Sequence, residues 1–290
     1  VTAYLSTSCF PNLPVGEAIA ACRALGRHRV ELSAPHPRQP LPDLEALLRA
    51  TVADRVELTL HNYFPAPKRP IVLNLASDEA EERAAGMALV TEAARLSRAA
   101  QAKVYAVHAG YVGKARPGTS ESFRFEGEDG DIVRATDRAI ATLADLLPLF
   151  GGGTRLAVEN LFPSASRRHS LMCDADELAT FMDRVPGLGW LLDLGHLNVS
   201  ATLLDFSRDA YLDRALERYG DRLLEVHLSE NGGRADEHLP IAAGSWQLDA
   251  LKRIRQIAAG PHERVYCVES RHADGPALRR SLDLVDHALA

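Results

Sequence analysis

Trp190-Leu191-Leu192-Asp193-Leu194-Gly195-His196 is a short apolar run that stops on a carboxylate, a glycine and an imidazole. Polar and apolar residues do not alternate in it, so it reads as a strand buried on both faces, as in a parallel sheet. The same grammar recurs downstream and upstream. Arg155–Asn160 ends in Val158-Glu159-Asn160, Leu223–Leu228 in Val226-His227-Leu228, and Arg264–Glu269 in Cys267-Val268-Glu269. Thr2–Ser6, Arg29–Leu32, Val56–His61 and Lys103–His108 are further runs of this kind, which with Trp190–Asp193 makes eight strands.

Helical patterns fill the gaps. Val15–Leu25 is stopped by Gly26, and Leu44–Ala53 follows. Asp78–Ala100 carries acidic residues in its first turn, where the helix dipole favours them. Ile132–Leu147 ends before Gly151-Gly152-Gly153, and Asp174 with Glu177 forms an N-cap and N3 pair opening Ala175–Val185. Tyr211–Tyr219, Trp246–Ala258 and Pro276–Ala288 complete the set. Eight strands alternating with eight helices predict an α/β fold, a single-domain (β/α)8 TIM barrel spanning 1–290. An open doubly wound sheet is the competing architecture. It calls for a Gly-rich phosphate turn after the first strand, and Ser6-Thr7-Ser8-Cys9-Phe10-Pro11 is not one.

The 290 residues suit one such barrel, and a hydrophobic share of 46% supplies a large core. A net charge of −6 offers no basic stripe for a phosphate backbone, which argues against nucleic acid and toward a small-molecule partner. Cys9, Cys22, Cys173 and Cys267 form no C-x-x-C pair and read as reduced thiols of a cytoplasmic protein. Neither a membrane-spanning run nor a signal-like pattern is present.

In a parallel barrel the C-terminal strand ends converge on one mouth. That mouth would gather nine metal-capable side chains: His61, His108, Glu159, Asp193, His196, His227, Asp236, His238 and Glu269. Glu159, Asp193, His227 and Glu269 make a mixed oxygen and nitrogen set suited to Mn, Zn, Co or Fe as a divalent ion, without the thiolates of a structural zinc site. His61, His108, His196, Asp236 and His238 are possible additional ligands, or donors behind the ligands. Each has a simpler explanation alone. Glu159 can pair with Arg155, Asp193 can cap the next helix, Glu269 can pair with Arg271, and His108 or His227 can be hydrogen-bonded core residues. It is their coincidence at one strand edge that points to metal. Asn62, Asn160 and Glu230 stand beside these residues as candidate contacts for substrate hydroxyls, and Arg271 and Lys68 as candidate anion contacts. Phe64 and Trp246 read as core or pocket wall.

The segments Val158-Glu159-Asn160, Leu192-Asp193-Leu194-Gly195-His196, His227-Leu228-Ser229-Glu230-Asn231, Asp236-Glu237-His238-Leu239-Pro240 and Val268-Glu269-Ser270 resemble the xylose isomerase-like barrel superfamily. That group holds sugar isomerases and epimerases, inosose dehydratase-like lyases and endonuclease IV-type enzymes. Its epimerases imply one divalent ion on Glu159, Asp193, His227 and Glu269, with Glu159 and Glu269 as acid and base on either side of the substrate. Its endonucleases imply up to three ions, adding His61, His108, His196, Asp236 and His238. The loops after His61 (Asn62-Tyr63-Phe64-Pro65) and His108 (Ala109-Gly110-Tyr111) depart from the basic, aromatic DNA-gripping loops of that branch.

The resemblance implies a metal-dependent isomerase or epimerase acting on a sugar or polyol through an enediolate. The alternatives are a dehydratase-like lyase, a multinuclear phosphodiesterase, an iron-dependent oxidative enzyme and a barrel that binds metal without turnover. Relatives associate around the barrel mouth, so a homo-oligomer is expected.

Overall fold

The structure is a computed structural model describing residues 1–117, 123–126, 131–163, 169–257, 260, 263–271 and 273–290. Eight parallel strands close into a barrel: β1 (Tyr4–Ser6), β2 (Arg29–Leu32), β3 (Glu57–His61), β4 (Val104–His108), β7 (Arg155–Glu159), β8 (Gly189–Asp193), β9 (Leu223–Leu228) and β10 (Val265–Val268). Around it lie α1 (Val15–Ala24), α2 (Leu41–Ala53), α3 (Ala80–Ala99), α4 (Ile132–Leu146), α5 (Ala175–Arg184), α7 (Arg208–Tyr219), α8 (Trp246–Gln256) and α9 (Gly275–Leu289). The eight expected strands and eight expected helices are all present, with ends displaced by a few residues.

Two elements lie outside the expected alternation. A hairpin, β5 (Lys114–Pro117) with β6 (Phe123–Glu126), occupies part of the stretch Ala109–Gly130 between β4 and α4. Within that stretch 118–122 and 127–130, and beyond it the expected end of α8 at Ala258, lie outside the described residues. The second addition is α6 (Leu194–Leu204), which starts directly on Asp193 and makes nine α-helices among the described residues. Its hidden periodicity explains why it escapes a pattern reading. Leu194, Gly195, His196, Leu197, Val199, Ser200 and Ala201 are all buried, so no polar face marks it as helix.

Strand pleat assigns alternate residues to the barrel interior. Tyr4, Val104, Ala106, Ala157, Leu191, Leu224, Val265 and Cys267 form the small inner core, while the main core lies between strands and helices. Trp190 belongs to that outer layer, wholly buried, with Nε1 donating to the Tyr219 carbonyl at 2.9 Å. At the foot of the barrel, Lys103 bridges Glu57 and Glu263, and Arg29 reaches the same two carboxylates.

Helix starts follow the chemistry of orphan amides. Asp174 accepts from the amides of Asp176 and Glu177, and Glu177 Oε2 accepts from the Cys173 amide, so the expected Asp174 and Glu177 pairing holds the entry to α5. No helix of the described residues is long and apolar enough to cross a membrane. All four cysteines are buried.

Candidate metal centre

Register brings the strand ends level. His108 pairs with Glu159 across β4 and β7, Asp193 with His227 across β8 and β9, and His227 with Cys267 across β9 and β10. The pleat directs these strand positions inward, His196 of α6 and the loop residues Asp236 and His238 reach the same place, and the nine side chains meet in three overlapping groups at the C-terminal mouth.

In the first group, Glu159 Oε2 lies 2.8 Å from His61 Nε2 and 3.3 Å from His108 Nε2. In the second, His227 Nδ1 lies 3.1 Å from Glu269 Oε2 and 3.8 Å from Asp193 Oδ2. In the third, Asp236 Oδ2 lies 2.7 Å from His238 Nε2 and 3.4 Å from His196 Nε2. The groups share members. His61, His227 and Glu269 offer ligand atoms within 4.8 Å of one another, as do Glu159, Asp193 and His196. Glu159 Oε1 is also 3.3 Å from His196 Nδ1.

The donor set fits divalent ions on two observations. First, Asp193 Oδ2, Asp236 Oδ1 and His227 Nδ1 are buried without a hydrogen-bond partner, a costly state that a cation relieves. Second, each of the five imidazoles is held from behind by a protein group, as ligating histidines are. His61 Nδ1 is 3.2 Å from Ser33 Oγ, and His108 Nδ1 is 2.9 Å from Tyr111 Oη. His196 and His238 donate Nδ1–H to the carbonyls of Asn160 and Glu269, and His227 donates Nε2–H to Glu31 at 2.7 Å.

Electrostatics say the same. Burial pushes the Glu159 carboxyl up, yet His61 and His108 outweigh it and hold it well below the ordinary range. Burial likewise raises Glu269, and His238, His227 and Arg271 hold it well below. Burial pulls the His196 and His227 imidazoles down, but Asp193 and Asp236, and Glu31, Glu225 and Glu269 respectively, carry them well above the usual value. So much negative charge would bind protons or cations at the same lone pairs. For Asp193 burial dominates and its carboxyl is raised.

Several of the simpler explanations hold at the same time as the ligand geometry. Asp193 does cap α6, accepting from the His196 amide with Oδ1 at 2.7 Å, but its Oδ2 stays unpaired and faces the cluster. Gly195 permits this approach, because a Cβ there would sit 2.9 Å from Ser229 Oγ and 3.1 Å from Asp193 Oδ1. Glu269 does meet Arg271, 3.2 Å from Oε1, and that oxygen also accepts from Ser8 Oγ at 2.9 Å. Glu159 meets imidazoles, while Arg155 stands two pleats lower on the same strand.

The substrate-contact candidates divide. Asn160 spends both halves of its amide on the Asp193 backbone, at 2.8 and 3.1 Å, which locks β7 to β8. Asn62 is buried, its carbonyl accepting from Tyr105 Oη and its Oδ1 lying 3.5 Å from the His108 amide. Glu230 is half-buried and engaged through its backbone, bridged to Leu239. Arg271 stands at the rim of the cluster beside Glu269. Lys68 is an exposed residue 4.0 Å from Glu92, Phe64 is core, and Trp246 packs against the core beneath Arg208.

Three contributors escape a reading of strand ends. Glu31, Glu225 and Ser8 are wholly buried, and Glu31 and Glu225 lie inside apolar strands, in Val30-Glu31-Leu32 and Leu224-Glu225-Val226. A lone carboxylate within a strand buried on both faces is itself the signal. Burial pushes Glu225 up to about 7.

A family model described as xylose isomerase-like TIM barrel matches residues 19–286. A search of curated protein sequences found no match. Among solved structures, a D-tagatose 3-epimerase-like protein superposes with a TM-score of 0.73 at 18% identity, covering 100% of both chains. D-psicose 3-epimerase with D-tagatose, from Clostridium cellulolyticum H10, gives 0.71 at 15% identity, covering 100% of this chain and 99% of that one. 3-Keto-D-glucoside 4-epimerase from E. coli gives 0.72 at 13%, covering 99% of each. At these identities the likeness is one of fold, and the match of the family model over most of the length decides the relationship: the chain belongs to the xylose isomerase-like TIM barrel family.

Proposed function

We propose that this protein is a divalent-metal-dependent epimerase or isomerase of a sugar or polyol, exchanging protons at a carbon next to a carbonyl. The observation that carries the reading is the link between the two glutamates. His61 lies within ligand distance of Glu159 on one side and belongs with His227 and Glu269 on the other, so both carboxylates border one polar mouth. The sugar epimerases that share this fold support the substrate class.

Glu159 or Glu269 takes the carbon-bound proton, leaving an enediolate, and the other carboxyl returns a proton from the opposite face. Asp193 and His227 hold the centre without exchanging protons, and Arg271 keeps Glu269 oriented. A divalent ion on Glu159, Asp193, His227 and Glu269, drawn from Mn, Zn, Co or Fe, supplies Lewis-acid stabilisation of the negative charge that develops on substrate oxygen. Expulsion of hydroxide from the same enediolate gives the lyase outcome. Four buried thiols suit a cytoplasmic setting, and association around the mouth would give a homo-oligomer.

One observation favours a second reading. His196, Asp236 and His238 form a further group beside the first two, which suits a multinuclear centre for phosphodiester hydrolysis or iron-dependent oxidation. Solvent-deuterium wash-in on a panel of ketoses and inososes separates the two. Incorporation next to the carbonyl is expected, and a metal-loaded protein that incorporates none on any of them contradicts proton abstraction.

A further inference from the structure

The five imidazoles do not face the centre in the same way. His61, His108, His196 and His238 have Nδ1 on a hydroxyl, a phenol and two backbone carbonyls, with Glu159 Oε1 also 3.3 Å from Nδ1 of His196. His227 is reversed. Its Nε2 points away to the carboxylate of Glu31, and its Nδ1 faces Glu269 and Asp193.

We propose that Glu31 is a positioning residue of the metal centre. It accepts the Nε2 proton of His227, fixes that tautomer and leaves Nδ1 as the ligating lone pair. The inference rests on the metal-dependent reading above and adds a residue that the strand-end pattern does not contain.

Three features carry it. The contact is not a product of strand pairing, because β2 and β9 are separated around the barrel by β1 and β10. Both side chains are wholly buried, so the hydrogen bond is made in an environment where water cannot replace it. And with Nε2 turned to Glu31, the other ring nitrogen, Nδ1, lies 3.1 Å from a Glu269 carboxylate oxygen and 3.8 Å from one of Asp193, on the side where the candidate ligands converge. A proton or a metal ion satisfies such a pair, and Nδ1 is left there without a hydrogen-bond partner of its own. Glu31 is also expensive to keep there, since its Oε1 has no partner and an apolar side chain would suit the barrel interior better. A carboxylate behind a ligating histidine raises the basicity of the ligand, and its loss costs roughly ten- to a hundred-fold in metal affinity.

One rival use of Glu31 exists. Its carboxylate, His227 and Cys267 offer ligand atoms within 4.8 Å of one another, which would place an ion deeper in the barrel.

Chelator competition with Mn²⁺ and Zn²⁺ on the full chain tests the proposal, using the parent protein, Glu31→Gln, Glu31→Leu and Cys267→Ser. Glu31→Leu is expected to bind metal roughly ten- to a hundred-fold more weakly. Glu31→Gln, which keeps an acceptor without the charge, should fall between, and Cys267→Ser should bind as the parent does. Imidazole ¹⁵N spectra of the Zn²⁺-loaded parent should show one histidine metallated at Nδ1 and protonated at Nε2. Affinity in Glu31→Leu within twofold of the parent overturns the role of Glu31, and loss of an ion in Cys267→Ser replaces it with the deeper site. Should Glu31→Leu fail to fold, the parent's spectrum decides, and His227 metallated at Nε2 overturns the proposal. A parent protein that takes up neither metal defeats the metal reading itself, a result distinct from a loaded parent indifferent to Glu31.

Discussion

Glu159 Oε2 lies 2.8 Å from His61 Nε2, although the strands that carry them, β7 and β3, are separated by β4. A carboxylate reaching past its neighbouring strand, and meeting His108 on the way, is arranged for more than sheet stability.

The Glu159→Gln variant should therefore lower kcat about 10²- to 10⁴-fold, the usual contribution of a positioned proton-transfer group. Its circular dichroism and cooperative unfolding should match the parent. Full activity in that variant would remove Glu159 from the proton-transfer role.

Stripping the centre of metal should destabilise the chain, because like charges and unpaired lone pairs at Asp193, Asp236 and His227 are then left buried. Any ion bound only by the folded state adds about 2.7 kcal/mol at a hundredfold excess over Kd. Thermal scans with and without chelator should show a lower Tm in the chelated sample, restored by adding back Mn²⁺ or Zn²⁺. Coincident curves contradict occupancy of the centre.

At the opposite end of the barrel the pH dependence has a defined sign. Burial pushes the Glu57 carboxyl up, but Lys103 and Arg29 outweigh it and leave it below the ordinary value. The hydrogen bond from Lys103 leads in lowering Glu263. A folded pKa beneath the unfolded value of about 4.5 means stabilisation that is present above that pH and lost as pH falls through the folded values. Replacing both, Glu57→Gln with Glu263→Gln, should lower Tm near neutrality and much less in acid, flattening the acid limb. Parallel curves would show that these pairs contribute nothing.

Trp190 provides a test of the packing alone. Trp190→Ala removes a wholly buried side chain between strands and helices and should cost about 3–5 kcal/mol, read as a lowered denaturant midpoint. With the mouth formed by other residues, metal affinity of the folded fraction should be retained.

Barrel architecture was legible because Leu191-Leu192-Asp193 and its counterparts are uniform apolar runs, and such runs belong to strands covered on both faces. The strand-end positions of Glu159, Asp193, His227 and Glu269 followed from the same runs. Helix α6 was not legible, since burial of nearly all of Leu194–Ala201 obscures the helical period. Glu31 was passed over because it sits one residue inside its strand, and its importance depends on a contact across the barrel that linear spacing does not encode. Asn160 looked like a hydroxyl contact, and only the register of β7 on β8 reveals it fastening the Asp193 backbone.

Elemental analysis of the purified chain, before and after reconstitution with Mn²⁺, Zn²⁺, Co²⁺ or Fe²⁺, addresses the convergence of nine side chains most directly. At least one tightly held divalent ion per chain is predicted, with its loss in the Asp193→Asn, His227→Asn pair. One ion supports the epimerase and two or three the hydrolytic or oxidative centre. A folded protein that retains none of these metals under any loading condition would contradict the account.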